Sequence, residues 1–487
     1  MKGLHKNIFL SCIAAALLMT LGTSCKKFLT QEVFTQYDPA TFLQSETGIT
    51  SLLNAAYNNM EVTSSMRERM YTLNEFPGDI MWEFGGSFAN SAILYMSFTW
   101  DAQQGFLETA WQQYYVSIRN ANSLLDNIGK AKSLDPAKAK EFVAEARFIR
   151  AADYYFLWQL FGPVPLVVSS DSLNLEPARP TDADFNTFLT GEFQAAAADL
   201  PLTQALWGKA TKGAALGLAG EYYLNSHQWQ LAADASQQVM DLKLYSLYTA
   251  DIQNMFAVQN EENSEVVFTS PALTTLHGNL YMAHAFPPNY PIQSNWINYG
   301  AQICVYNDWV KTYNPVDKRL SWFLFNYTDV NGKNHNLLDP SDPGKAVRCF
   351  KYVPDPNAIS ENNGNDVPVI RYAEILLNRS EALNELNGPN QESVDLLNQV
   401  RERAGVPAFS LADFASKDAL RAALLQERGW EFVAEGKRRM DLIRQGKLVS
   451  AAQARGGAPG AKDYMALYPI PQDEMDADPN LKQNTGY

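Results

Sequence analysis

The stretch Val369–Gly405, VIRYAEILLNRSEALNELNGPNQESVDLLNQVRERAG, decides the fold class. In its first half Tyr372, Ile375, Leu376, Leu383 and Leu386 recur near a 3.6-residue period, and Ser380 and Ala382 leave room for a close neighbour. Gly388-Pro389 stops that helix. In the second half Val394, Leu397, Val400 and Ala404 line one face, and Gly405 with Pro407 ends it. The stretch therefore reads as a helical hairpin. Such a pair carries apolar stripes that it cannot bury alone, so similar pairs are expected to stack against it.

Those pairs are present upstream. Ala40 to Asn59 is amphipathic through Phe42, Leu43, Ile49, Leu52, Leu53 and Tyr57. Glu108 to Ile128 and Ala137 to Phe161 form a second hairpin, and Lys209 to Asn225 with Trp229 to Leu242 a third, whose first helix is rich in small residues. Lys209–Leu242 and Arg371–Ala404 each span 34 residues, the tetratricopeptide period. Further helices are read over Lys417–Glu435 and Arg439–Gln445. The scaffold covers roughly residues 40–60, 108–161, 209–242 and 369–448, so the array is interrupted and not tandem. The interruptions, roughly 61–105 and 270–366, are rich in Gly, Pro and Asn and show no sustained helical period. Tyr281 to Tyr327 holds 12 aromatics in 47 residues, about twice the whole-chain frequency of 12%, which a helical repeat does not explain.

The totals bound the function. A chain of 487 residues with 46% hydrophobic and 19% charged side chains is ordinary globular composition. A net charge of -14 argues against a nucleic-acid partner, since such proteins present a positive face to phosphate. A neutral or cationic ligand fits better.

At the amino terminus Lys2 and Lys6, the apolar run Ile8 to Leu21, and Gly22-Thr23-Ser24 before Cys25 match a lipoprotein signal, residues 1–24, cleaved to leave a lipidated Cys25. A plain secretory peptide leaving a free Cys25 thiol is the alternative. The run is too short and wrongly flanked for a permanent spanning helix. Cleavage removes two lysines and no acids, leaving a charge of -16. Residues 25–487 are then expected to form one domain held to a membrane by acyl chains. Cys304 and Cys349 read equally well as one disulfide or as two buried thiols.

Several long blocks carry a resemblance: EARFIRAADYYFLWQLFGPVPLV (Glu145–Val167), GKATKGAALGLAGEYYL (Gly208–Leu224), the opening hairpin with LNQVRERAG, ERGWEFVAEGKRRMDLIRQGKL (Glu427–Leu448), and the closing YPIP and QNTGY. In this order they resemble the SusD/RagB family of Bacteroidetes-type outer-membrane lipoproteins, and Cys25 followed by KKFL is similar to its lipobox region. The resemblance implies a mostly α fold, an irregular superhelix of tetratricopeptide-like hairpins with a loop-rich, irregular ligand-binding half. It also implies a surface-exposed, lipid-anchored protein of the outer membrane that captures oligo- or polysaccharide and passes it to a SusC-like TonB-dependent transporter, without cofactor or catalysis. A peptide-binding lid of the same importer type is the alternative within the family; a surface glycosidase and a pure adaptor that contacts only the transporter are the others. Lys26-Lys27 after the cysteine is basic where some family members place acidic residues.

The family's ligand residues lie in variable loops, so site residues are sought in the chemistry. A sugar ring offers apolar C–H faces and a polar rim, which suits an aromatic ring flanked by amides, carboxylates or arginine. Two stretches supply that mix: Asp79, Trp82, Glu83, Phe84 and Asn90, with Arg67 and Arg69 upstream, and Tyr281, His284, Tyr290, Asn295, Trp296 and Tyr299. Trp82 and Trp296 are the leading candidates. Against this stands packing of each ring under its own loop. For catalysis the sequence offers Glu427 and Glu431, one helical turn apart; with Arg428, Arg438, Arg439 and Asp441 close by, a structural ion-pair network is the stronger expectation. No HExxH, CxxC or GxSxG is present, and ENNGND (Glu361–Asp366) reads as a solvated turn before a weak Ca²⁺ site.

Overall fold

The computed structural model describes residues 42–60, 71–86, 88–172, 174–275, 277–300 and 303–487. Cys25, the expected lipidation site, and the candidate Arg67 lie outside them, as do the expected leader and Arg69.

In chain order the elements that matter here are α1 (Glu46–Asn59), β1 (Met81–Glu83), α2 (Ala89–Ser97), α3 (Gly105–Asn127), α4 (Pro136–Phe161), α5 (Asp182–Asp199), α6 (Lys212–Asn225), α7 (Trp229–Asp241), β2 (Val266–Ser270), α8 (Tyr281–Ala285), β3 (Ile303–Val305), β4 (Phe323–Leu324), β5 (Asn326–Thr328), β6 (Asn334–Asn336), β7 (Arg348–Cys349), β8 (Val367–Arg371), α9 (Tyr372–Asn387), α10 (Gln391–Ala404), α11 (Lys417–Glu431) and α12 (Arg438–Arg444). The fold is mostly α. Helix packs on helix in the sequence α1, α3, α4, α5, α6, α7, after which α9 docks on α7 and α10 on α9. The superhelix is thus continuous in space although some 130 residues interrupt it in the chain.

Local chemistry sets the helix ends. Asn390 caps α10 by accepting from the Ser393 amide at 2.9 Å, and Thr211 caps α6 by accepting from Ala214 at 3.2 Å. Gly405 closes α10 in the left-handed region, φ +77°, ψ 18°. The expected stripe of α10, Val394, Leu397, Val400 and Ala404, is fully buried.

The opening stretch differs from its reading in two respects. Val369 and Ile370 belong to β8, which pairs antiparallel with β2 before the chain turns into α9. Leu386, expected in the stripe, is 38% exposed, whereas Glu374, Asn378, Ser380 and Glu381 are buried. The reason is that α9 is packed by α7, α10 and α11 on several sides, and arginines and lysines from the last helices reach its polar positions. Arg444 grips Glu381 with two 2.8 Å hydrogen bonds, and Lys437 lies 3.0 Å from Glu374.

Besides short helical turns such as α8, two helices of nine residues or more fall where no helical period is read. α2 lies within 61–105; its four consecutive residues Ile93 to Met96 mask the period. α5 lies between the second and third hairpins, and buries Phe185, Leu189, Phe193, Ala196 and Ala197 against α4 and α6, a stripe visible in the sequence. Helix α11 stops at Glu431, four residues before the expected end, because Ala434 and Gly436 take positive φ.

The irregular half has its own apolar core, from Tyr71, Phe76 and Met81 through Phe286, Trp322 and Tyr352 to Val433. Its strands form two-stranded antiparallel ladders, β1 with β3, β4 with β7 and β5 with β6. Among the described residues no helix is long and apolar enough to cross a membrane.

Candidate functional site

β1 positions the first candidate. Side chains alternate across a strand, so Met81 and Glu83 point into the core while Trp82, opposite Cys304 of β3, stays half-buried at the surface. Tyr306, just past β3, stacks on Trp82 with centroids 6.0 Å apart and planes at 22°, and Phe84, just past β1, lies 5.3 Å from it. Cations frame this triplet. Lys345 Nζ stands 5.3 Å from the centre of Phe84 and Arg348 5.9 Å, while the Arg455 guanidinium lies 5.9 Å from Tyr306. Lys345 is exposed and makes no ion pair among the described residues.

The second stretch meets the loop after β1 through tilted ring contacts. His284 of α8 is buried between Phe88, 5.4 Å away, and Tyr299, 4.9 Å away. Tyr299 is 39% exposed, and Phe88 immediately precedes α2, whose first turn carries the exposed Asn90. Trp296 is half-buried: it lies parallel to Phe286 at 5.5 Å, and its Nε1 donates to the Asp355 carbonyl at 2.9 Å. Tyr290 is likewise parallel to Phe286, at 5.4 Å.

Other candidates prove to be internal fixtures. Asp79 forms a two-pronged ion pair with Arg438. Glu83 is 2% exposed; its Oε1 accepts from the Gly85 amide at 3.0 Å, and burial pushes its carboxyl up to about 7. Tyr281 is 1% exposed, wedged between Tyr71 at 4.9 Å and Tyr352 at 5.4 Å, so it offers no face to a ligand. Asn295 is exposed, but its Nδ2 donates to the Ala358 and Pro356 carbonyls, tying its own loop. Of the candidates not taken up in this way, Trp82, Phe84, Asn90, Trp296 and Tyr299 keep part of the side chain open to solvent. Tyr306 and Lys345 join them without having been singled out; Tyr306 was one of the aromatics crowded into 281–327, while Lys345 carried no signal.

The paired carboxylates are closed off. Glu427 and Glu431 are fully buried, Glu427 held by Arg319 and Arg401 at 2.7 Å each, and Glu431 by Arg319, Arg371 and Arg403. Burial raises the Glu431 carboxyl, but Arg403, Arg371 and Arg319 outweigh it and hold it well below the usual range. The ion-pair reading of this cluster is the one the geometry gives, and a substrate has no access to the pair. In the ENNGND turn, Asp366 accepts from the Ala272 amide and the Trp207 indole, so its oxygens are already engaged; among the described residues no group of three or more His, Cys, Asp and Glu could hold a metal. Cys304 and Cys349 are both free buried thiols, pushed up to about 12 and about 11 by burial.

Two family models match the chain: SusD_RagB, described as the SusD family, over residues 264–487, and SusD-like_3, described as starch-binding associating with outer membrane, over residues 27–224. The chain belongs to the SusD/RagB family. It is 26% identical to SusD-like protein P2 of Formosa agariphila, covering 92% of this chain and 94% of that one. It is 22% identical to the starch-binding protein SusD of Bacteroides thetaiotaomicron, over 88% and 87%. Among solved structures, surface glycan-binding protein A from Bacteroides thetaiotaomicron in complex with laminarihexaose superposes with a TM-score of 0.76 at 20% identity, covering 90% of this chain and 99% of that one. A laminarin-binding SusD-like protein gives 0.76 at 22%, over 91% and 100%. At these identities the structures show a shared SusD fold. Within that fold the blocks that mark the family, such as Glu145–Val167 and Glu427–Leu448, are mostly buried scaffold, and the half-exposed rings lie outside them, Trp82 on β1 and the others beside the short strands or on loops.

Proposed function

We propose that this SusD-like protein is a non-enzymatic glycan-binding protein that captures oligo- or polysaccharide through Trp82, Phe84, Tyr306, Trp296 and Tyr299. One observation carries the reading: these rings are locked from behind, Trp296 by its indole hydrogen bond and Trp82 by its stack on Tyr306, while part of each remains open to solvent. A rigid ring loses little entropy on stacking under a pyranose face, and it suits a neutral ligand better than a flexible side chain does. Lys345 flanks Phe84, and Asn90 stands exposed in the first turn of α2; both can donate hydrogen bonds to hydroxyls. The family description as starch-binding, and the laminarin and laminarihexaose ligands of two structural neighbours, support glycan as the class.

In this reading residues 1–24 are a lipoprotein signal, residues 25–487 form one SusD-like domain, and lipids on Cys25 hold it to the outer membrane facing the exterior. The bound glycan passes to a SusC-like TonB-dependent transporter. An array of plant, algal and microbial glycans beside a peptide library tests the ligand class. Retention on at least one glycan family supports the proposal, and retention on peptides alone overturns it in favour of a peptide-binding lid. Release of reducing sugar by the purified protein, with a carboxylate outside the Glu427–Glu431 pair required for it, would instead make the protein a surface glycosidase.

A further inference from the structure

A further tryptophan is presented to solvent away from these rings, on the helical half. The loop between α5 and α6 carries Leu206, 65% exposed, and Trp207, 39% exposed, and Leu273 opposite is 57% exposed. Large apolar side chains gathered around one opening are what a binding surface shows, whereas single exposed ones are ordinary. They rim a recess of about 350 Å³, toward the small end of the range for small-molecule sites.

The recess is built, not incidental. Gly208 has φ +82°, and a Cβ there would meet Pro271 Cγ at 2.2 Å, so glycine lets the loop lie directly on the segment after β2. Trp207 Nε1 donates to Asp366 Oδ2 at 2.6 Å, while Oδ1 of the same carboxylate accepts from the Ala272 amide at 2.8 Å. One buried carboxylate therefore fixes both walls and sets the angle of the indole. On the α1 side, Asn54 and Asn58 are exposed one turn apart and line the recess. Lys209 and Tyr57 also line it, and both are spent on Glu145, at 3.2 Å and 2.6 Å. The Lys209 charge is thus matched.

We propose that this recess is a second carbohydrate subsite, taking a short stretch of neutral pyranose units with a C–H face stacked on Trp207 and hydroxyls hydrogen-bonded by Asn54 and Asn58. An aromatic face beside two amides, with its cation already neutralised, matches an uncharged sugar better than an anion or an acidic peptide. The inference rests on glycan as the ligand class but not on the Trp82 and Trp296 rings, which other elements position. A chain long enough to engage both subsites gains avidity without further contacts.

The test is fluorine NMR on the intact soluble chain labelled with 5-fluorotryptophan, resonances being assigned with Trp207→Phe, Trp82→Phe and Trp296→Phe. The probes are maltohexaose, laminarihexaose, cellohexaose and mannohexaose. Saturable movement of the Trp207 resonance with at least one probe is expected, retained in the Trp82→Ala/Trp296→Ala double variant and weakened severalfold by Asn58→Ala. A silent Trp207 while Trp82 or Trp296 moves overturns the second subsite alone. Movement at Trp207 alone overturns the Trp82 and Trp296 site and leaves this one standing. Movement of no tryptophan overturns both, and a Trp207 response abolished by the double variant overturns its independence.

Discussion

The Asp79 carboxylate grips the Arg438 guanidinium through two hydrogen bonds, Nε to Oδ1 at 2.7 Å and Nη2 to Oδ2 at 2.9 Å. Arg438 also donates to the Leu425 carbonyl and lies 4.8 Å from the centre of Trp309. A loop acid that the sequence offers as a sugar contact is in fact a tie between the ligand half and the last helices. Asp79→Ala leaves a buried guanidinium without its partner and is expected to cost about 3 kcal/mol in urea unfolding, glycan affinity staying within about twofold. Unchanged stability with lost affinity would return Asp79 to the binding site.

Leu376 is fully buried on α9 among Leu377, Val394, Leu397 and Leu420. Leu376→Asp places an unpaired carboxylate there and is expected to abolish soluble yield, a loss of about 4 kcal/mol or more. Recovery of normally folded Leu376→Asp protein, by circular dichroism and gel filtration, would remove the packing role given to this face.

Glu75 makes stability pH-dependent on the alkaline side. Burial pushes its carboxyl from 4.5 up to about 8, against the 2.6 Å hydrogen bond from the Gly436 amide. A raised folded-state value means that its contribution is complete below about 4.5 and is lost as pH rises through about 8, at about 1.36 kcal/mol per unit of difference. Glu75→Gln is therefore expected to match the wild type near the acid end of that window and to exceed it in melting temperature by the alkaline end. Parallel melting curves across the window would show that Glu75 does not ionise there.

Glu431 works in the opposite sense, because Arg403, Arg371 and Arg319 hold its folded value below the usual range despite burial. Its contribution is lost as pH falls through that value. Glu431→Gln is expected to destabilise the protein by about 3 to 5 kcal/mol in chemical unfolding. A variant as stable as the wild type would mean that the three arginines find other partners.

Which features were legible follows from where their partners lie. Val394, Leu397 and Val400 advertise one face because helical neighbours are three or four residues apart, so the superhelix can be read from spacing. Tyr281 looks like any loop aromatic until Tyr71 and Tyr352 close over it, and Asp79 is tied by a residue 359 positions away. The covering of Trp296 depends on a carbonyl at Asp355, 59 positions on. Aromatic density located the irregular half; it carried no information on which ring faces survive the loops that cross them. Trp207 lay just before the stretch read as scaffold, in a segment assigned to neither scaffold nor site, so its exposure emerged only from the geometry of Gly208 against Pro271.

Trp82 and Trp296 carry the glycan assignment most directly. Isothermal titration of the best-bound member of a polysaccharide panel, starch and laminarin included, should be run on wild type, Trp82→Ala, Trp296→Ala and the double variant. The double variant is expected to bind at least about tenfold more weakly, about 1.4 kcal/mol, with its unfolding transition little changed. A double variant that binds as tightly as the wild type would contradict the assignment of these rings to the glycan.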